Sequence, residues 1–264
     1  MDNILEIKNL NYYDFKNFNL QLKKNKYYTI IGPSNSGKTT LSRIICGIIP
    51  TNNICICNNQ KLNKENVNKY IVNIGLVETV NKNSFLFSTV HEELTYSLTN
   101  LNYPKNKIKK RIEEVLNNLN ILNIYYKNIN ELDLNEKQML LFAIALLHKP
   151  SLLIIDDAFI LLNKNYQKNI LSYLYELQKN HGLSIIHFTN NFDLFNNIDY
   201  LYVLDNFKIK KQGLLNDLLE DDKLFYEKGI EVPFMVDLSN KLKLYGLIDK
   251  IHFNMEELVN TIWK

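Results

Sequence analysis

Gly32-Pro33-Ser34-Asn35-Ser36-Gly37-Lys38-Thr39-Thr40 decides the fold of this chain. The stretch fits the phosphate-binding loop pattern G-x-x-x-x-G-K-[ST] without a gap. In that pattern a glycine-rich turn aims successive backbone N–H groups at phosphate oxygens, and the helix that follows presents its positive end. Lys38 is placed to reach the β- and γ-phosphates as a point charge, and the Thr39 hydroxyl to ligate Mg²⁺. The flanks come in the order this chemistry needs. Residues 26–31, KYYTII, form a short β-rich run ending in branched apolar residues, as a buried strand does. Residues 39–45 read as a helix closed by Gly47, with Pro50 just beyond. The loop therefore predicts nucleotide binding between a strand and a helix, with residues 32–40 lining the site.

The 264 residues suffice for one large α/β domain with appendages or for two modest ones, and 46% hydrophobic content supports a core. Net charge is only +3 and the basic residues are scattered. The one local excess, IKKRIEE around residues 107–111, alternates into acidic residues on a helix. It reads as a solvated face and argues against a nucleic-acid groove. The longest apolar run, residues 139–147, is about half the ~20 residues of a transmembrane helix. No charged-then-apolar leader opens the chain, so the cytosolic side is the expected compartment. Cys46, Cys55 and Cys57 are an odd set of thiols; the last two alternate along a strand and share a face, and no further Cys or His suggests a metal site. Asn, Lys, Ile and Tyr recur throughout, which reads as codon bias. Asn52-Asn53, Asn58-Asn59 and Asn190-Asn191 are then turn residues.

The first 25 or so residues alternate apolar and polar, as antiparallel strands with one wet face do. Residues 54–57 and 70–77 are further strand candidates. From about residue 90 to 125 the period becomes helical, and residues 135–148 form another helical stretch bounded by Pro150. Next comes Ser151-Leu152-Leu153-Ile154-Ile155-Asp156-Asp157, an apolar strand ending in two carboxylates, the Walker B arrangement. A strand ending in Asp-Asp also serves as a turn or a helix N-cap. Beside an intact phosphate loop, Asp156 reads as the Mg²⁺ residue and Asp157 as the group near the water that attacks the γ-phosphate. Residues 183–188 and 200–204 add two short apolar strands. Strands alternating with helices imply a parallel sheet with the nucleotide at its C-terminal edge, interrupted by a helical subdomain over about 84–149.

This ordering resembles the ATP-binding cassette (ABC) family over nearly the whole chain. The segments EKGIEVPFMVDLSNK (227–241) and MEELVNTIWK (255–264) look like the C-terminal extension of energy-coupling-factor ATPase subunits, the motors of vitamin and metal-ion importers. The resemblance implies an α/β P-loop NTPase with a RecA-like parallel-sheet core, N-terminal antiparallel strands, an inserted helical subdomain and a helical C-terminal extension. It divides the chain into an ATP-binding domain over 1–225 and an extension over 226–264. It also implies ATP and Mg²⁺ as cofactors. In that family two ATPase subunits sandwich two ATP molecules, each site pairing one subunit's phosphate loop with the other's signature loop. Closure drives a membrane-embedded coupling subunit that serves a substrate-capture subunit, so a peripheral place at the cytoplasmic face of the membrane is expected.

Carried over residue by residue, the phosphate loop and Asp156 match, and Tyr13 lies near the adenine-stacking position, with Tyr12 the alternative and strand packing the structural reading of both. The hydrolytic parts differ. Thr79 stands where the family has a glutamine that touches Mg²⁺ and water. Asp157 replaces the catalytic glutamate, and Asn190 the histidine; His187, three residues earlier, reads as a core or surface residue. The signature L-S-G-G-Q reads Leu132-Asp133-Leu134-Asn135-Glu136, and the loop after Asp157 reads Ile160-Leu161-Leu162-Asn163 in place of S-x-L-D. A carboxylate facing phosphate at ~4 Å costs on the order of 4 kcal/mol at an effective dielectric near 20. None of the eight glycines lies between Gly75 and Gly182, where the signature loop falls. The expectation is a degenerate ATP-binding subunit working beside a different, more complete ATPase. The rival readings are a fully competent ABC ATPase and a soluble cassette outside transport.

Overall fold

The computed structural model describes every residue except 1–2, 52–54, 58–59, 63–66, 191–197, 220–224, 227–229, 231 and 264. Ile54, the asparagine pairs at 52–53 and 58–59, Asn191 and parts of the two tail segments lie outside the described residues, as does the facing of the Cys55 and Cys57 side chains. The chain divides into two compact units, Met1–Lys26 with Thr39–His187, and Tyr27–Lys38 with Phe188–Lys264.

In the first unit the alternating N-terminal pattern folds as expected. β1 (Asn3–Tyr12) and β2 (Phe15–Lys23) form an antiparallel pair, with Ile7 opposite Leu20. Phe15, Phe18, Leu20 and Leu22 are buried while the residues between them face water. β4 (Cys55–Cys57) and β5 (Gln60–Lys61) extend this sheet in the order β2-β1-β4-β5. β6 (Ile74–Glu78), β7 (Leu152–Asp156) and β8 (Ser184–Thr189) lie side by side, with β6 and β7 parallel and Glu78 in register with Asp156. All five residues of β7 are buried, as a strand covered on both faces requires.

The strand expected over residues 70–77 begins only at Ile74. Residues before it form the short helix α2 (Val67–Ile71), and Asn73 N–H donates to the Tyr70 carbonyl at the turn into β6. The helix carries Tyr70 into the interior, where its hydroxyl donates to the Ile45 carbonyl at 2.8 Å. The aromatic and β-branched run Tyr70-Ile71-Val72 imitates a strand, but a buried phenol needs an acceptor, and this turn supplies one.

α1 (Lys38–Ile45) follows the phosphate loop and ends at Gly47, whose φ of +75° lets the chain reverse. The helical insertion comprises α3 (Val90–Asn100), α4 (Ile108–Asn118) and α5 (Leu134–Leu147), and α6 (Lys164–His181) precedes β8. The solvated face expected around residues 107–111 holds for Lys109 and Lys110, which are exposed. It fails for Arg111. Its guanidinium is buried, and donates to the Leu147 and Leu146 carbonyls at 2.8 Å each, satisfying the open C-terminal end of α5.

In the second unit β3 (Tyr27–Ile31) and β9 (Tyr200–Asp205) are parallel, and β10 (Lys208–Leu214) runs antiparallel to β9. Ile31, Leu201 and Val203 form a core with Leu215, Leu218 and Leu219 of α7 (Leu215–Leu219), and with Phe225, Ile230 and Val236. Val236 lies on α8 (Phe234–Leu244), and Asn240 of the same helix donates to the Leu219 carbonyl at 2.8 Å. α9 (Met255–Ile262) is capped by the Asn254 side chain.

His187 is buried on β8, edge-on to Phe159 with ring centroids 5.1 Å apart, so it is a core histidine. Burial pushes its pKa down to about 3 from 6.5. The unfolded chain therefore takes a proton that the folded chain refuses, so stability is full above pH 6.5 and falls as pH drops from about 6.5 towards 3. Urea unfolding of the wild type should lose about 2 kcal/mol through this group between pH 7 and pH 5. His187→Gln should remove that part of the pH dependence; an unchanged slope would assign it to other groups.

Candidate functional site

The phosphate loop starts where β3 meets a backbone with no space for a side chain. A Cβ on Gly32 would lie 2.0 Å from the Leu204 carbonyl oxygen and 2.7 Å from Ser36 Oγ. Asn35 (φ +64°) and Gly37 (φ +103°) turn the loop through left-handed backbone, and Ser36 N–H closes it on the Pro33 carbonyl at 3.2 Å. The chain is wrapped around the Lys38 amine, which donates to the Gly32 carbonyl at 2.7 Å and the Pro33 carbonyl at 3.1 Å. Ser36 Oγ is buried and has no hydrogen-bond partner among the described residues. A buried cation curled into a loop with an unsatisfied hydroxyl is suited to an anionic ligand that engages both.

In the first unit, Thr39 near the start of α1 and Asp156 at the end of β7 line one cavity of about 210 Å³, together with Arg43, Glu78, Thr79, Asn81 and Asp157. Asp156 is 5% exposed; its Oδ2 accepts from Ser42 Oγ at 3.0 Å, and its Oδ1 has no partner among the described residues. Burial raises its pKa, the Ser42 and Thr39 hydroxyls pull it down, and the charges of Asp157 and Glu78 raise it further. A buried carboxylate oxygen left open beside a threonine hydroxyl is an oxygen donor set that suits Mg²⁺. The residues present fit that ion.

Of the residues singled out in the sequence, Thr39, Thr79, Asp156 and Asp157 are brought together here. Thr79 donates through Oγ1 to the Asp157 carbonyl at 3.2 Å, and Asp157 sits at φ +51°. Asn190 is exposed just beyond β8. Tyr13 is 77% exposed with φ +55° at the β1–β2 turn, whereas Tyr12 is partly covered and pairs in register with Phe15.

Sequence reasoning missed four residues. Ser42 holds Asp156. Arg43, one turn beyond Thr39, contacts Glu78 Oε1 through Nε and Nη2, both at 2.9 Å. Gln138 on α5 is fully buried; its amide donates to the Glu78 carbonyl at 3.1 Å and accepts from Val80 N–H at 2.9 Å. Arg43 had a signal in spacing: it follows Thr39 by four residues on a helix, so it shares that face. A fifth feature, the capping box Asp133-x-x-Glu136, was legible but unread. Asp133 accepts from Glu136 N–H at 2.8 Å and Glu136 accepts from Asp133 N–H at 3.1 Å, while Lys127 pairs with Glu136 at 3.0 Å. Asn135 accepts from Asn163 N–H at 2.8 Å.

A phosphate loop between β3 and α1, with a buried aspartate at the end of β7, defines a P-loop nucleotide-binding protein. Residues 15–160 match the family model described as ABC transporter. The energy-coupling factor transporter ATP-binding protein EcfA1 of Fusobacterium nucleatum is 30% identical over 95% of this chain and 93% of its own length. Its counterpart in Mycoplasmoides gallisepticum is 26% identical over 94% and 88%. The fold is also that of cbiO1 from Clostridium perfringens, part of the ABC transporter complex cbiONQ, with a TM-score of 0.75 at 23% identity over 90% of this chain and 99% of that one. The chain belongs to the ABC transporter family as an ATP-binding protein of the energy-coupling-factor type.

Gly32→Ala should lower affinity for a fluorescent ATP analogue more than tenfold, because the loop must move off Leu204. Gly213→Ala, whose Cβ would meet only ordinary contacts at 3.5 Å or more from Leu218, should leave affinity unchanged.

Proposed function

We propose that this chain is the ATP-binding subunit of an energy-coupling-factor importer that binds MgATP and turns it over slowly on its own. The domain over 1–225, with its helical subdomain at about 84–149, binds the nucleotide, and 226–264 is the C-terminal extension. Gly32, Pro33, Ser34, Asn35, Ser36, Gly37, Lys38, Thr39 and Thr40 cradle the phosphates, Tyr13 stacks on adenine, and Thr39 and Asp156 hold Mg²⁺. The ion supplies charge neutralisation at the transferring phosphoryl group. The observation that carries the ligand assignment is Asp156 Oδ1, buried and open beside Thr39.

Slow hydrolysis is supported by what the substituted residues do. Thr79 spends its hydroxyl on the Asp157 backbone, so it does not present a long amide to the attacking water. Asp157 sits on left-handed backbone with a side chain one methylene shorter than glutamate. Asn190, exposed beyond β8, has no charge to offer. Asp133 is committed to its own helix, and that helix end already carries two carboxylates. The subunit closes against a different, more complete ATPase, at the cytoplasmic face of a membrane whose coupling and substrate-capture subunits import a vitamin or metal ion. The rival reading, a competent ATPase, draws on Asp157, which lines the same cavity as Asp156.

The purified chain should bind ATP with Mg²⁺ yet show turnover at or near background. A robust rate abolished by Lys38→Ala would overturn the proposal. In the complex with its partner ATPase, Asp133→Ser with Leu134→Gly and Asn135→Gly should raise turnover. Serine keeps the N-cap of α5, and a thermal-unfolding check shows whether losing the Asn135 contact to Asn163 N–H destabilises the variant.

A further inference from the structure

The Arg43–Glu78 pair sits in the wall of the cation cavity, and neither residue matches a part of the nucleotide site named so far. β6 and β7 are parallel neighbours with Glu78 in register with Asp156, so the two strands end level and both residues line the same cavity. Side chains in register on adjacent parallel strands point to the same face of a sheet. On that face, α1 contributes Thr39, Ser42 and Arg43. Arg43 spends two nitrogens on a single Glu78 oxygen, Oε1. The pair is partly exposed, with side-chain exposures of 46% and 32%, so solvent and a bound ion can both compete for it. The Glu78 backbone is held from the other side, because buried Gln138 brackets residues 78–80 with two hydrogen bonds. The strand end is thus fixed while the carboxylate can turn.

Charge points the same way. Asp156, Asp157 and Glu78 bring three carboxylates to the cavity against the single guanidinium of Arg43, leaving two negative charges among the residues that line it. A divalent cation neutralises that excess. Asp156 is more than nine-tenths buried, and its Oδ1, without a partner among the described residues, marks where an ion would be taken up.

We propose that Glu78 is a further residue of the cation site: its carboxylate turns from Arg43 towards the ion, so that the nucleotide-free chain takes up one divalent cation and Arg43 sets how tightly. This rests on the reading of Asp156 as the residue that holds Mg²⁺, and extends it to a carboxylate that the family pattern does not supply. Arg43 is the competitor: it neutralises Glu78 when no ion is present and opposes the ion by its own charge. Asp156 and Thr39 supply the inner oxygen donors, and Glu78 adds charge and orientation from the neighbouring strand.

Mn²⁺ alone tests this, titrated into the nucleotide-free chain and read by electron paramagnetic resonance, with thermal unfolding of each variant as the folding check. One ion should bind per chain. Glu78→Gln should weaken its binding about tenfold or more, Glu78→Asp should recover part of the loss, and Arg43→Gln should tighten binding. Asp156→Asn should abolish it. If Asp156→Asn abolishes binding but Glu78→Gln leaves it unchanged, or Arg43→Gln weakens it, the role given to Glu78 is wrong while the cation site stands. If Asp156→Asn binds as the wild type does, or the wild type binds no ion, the cation-site reading fails with it.

Discussion

Asp156 carries a carboxylate into a buried position at the end of β7, where water no longer solvates it. Desolvation works against its charge, and Ser42 answers with one hydrogen bond to one oxygen. The other oxygen is left open, so the strand end keeps an unmet demand for a positive ligand. The surroundings follow from that demand. α1 brings Thr39 and Ser42 alongside. β6 must end level with β7, which places Glu78 and Thr79 on the cavity wall. Gln138 on the inserted α5 then grips the β6 end by its backbone, joining the helical insertion to the strand that frames the cavity. Removing the charge from Asp156 would relieve its burial and take away the reason for the arrangement around it.

The residues that depart from the family pattern are integrated into local structure. Thr79 braces the backbone of Asp157, Asp133 and Glu136 close a capping box, and Asn135 holds the N–H of Asn163. Asn163 in turn caps α6 through the N–H groups of Asn165 and Tyr166. Each contact is worth about a kcal/mol. Together they stiffen loops that a glycine-rich sequence would leave loose. A loop built this way has its polar groups committed within the chain, which fits a subunit that holds nucleotide and leaves fast chemistry to a partner.

Much of the fold was legible because its signals are local. The phosphate loop declares its strand and helix, the N-terminal alternation declares a hairpin with one wet face, and LLIIDD declares a buried strand ending in charge. Residues 70–77 misled because Tyr70-Ile71-Val72 has strand composition, and only the position of the Ile45 carbonyl shows that a helical turn is needed. Arg111 misled in the same way: its neighbours are solvated lysines, and nothing nearby in sequence reveals that its acceptors are carbonyls some 35 residues away at the end of α5. At the site, motif spacing found Thr39, Asp156 and Asp157. Glu78, Ser42 and Gln138 stayed hidden because their roles depend on strand register and helix packing. The capping box at 133–136 was in plain view, obscured by reading Asp133 only for its effect on phosphate.

The most direct measurement is the chemical state of the nucleotide held by this chain in its native membrane complex. The complex can be charged with Mg²⁺ and an azido-ATP labelled on the α-phosphate, crosslinked by light, and the label recovered separately from each ATPase subunit. If this subunit binds ATP and leaves hydrolysis to its partner, the label on it is intact triphosphate while the partner carries diphosphate. Diphosphate accumulating on this chain at the partner's rate would contradict it.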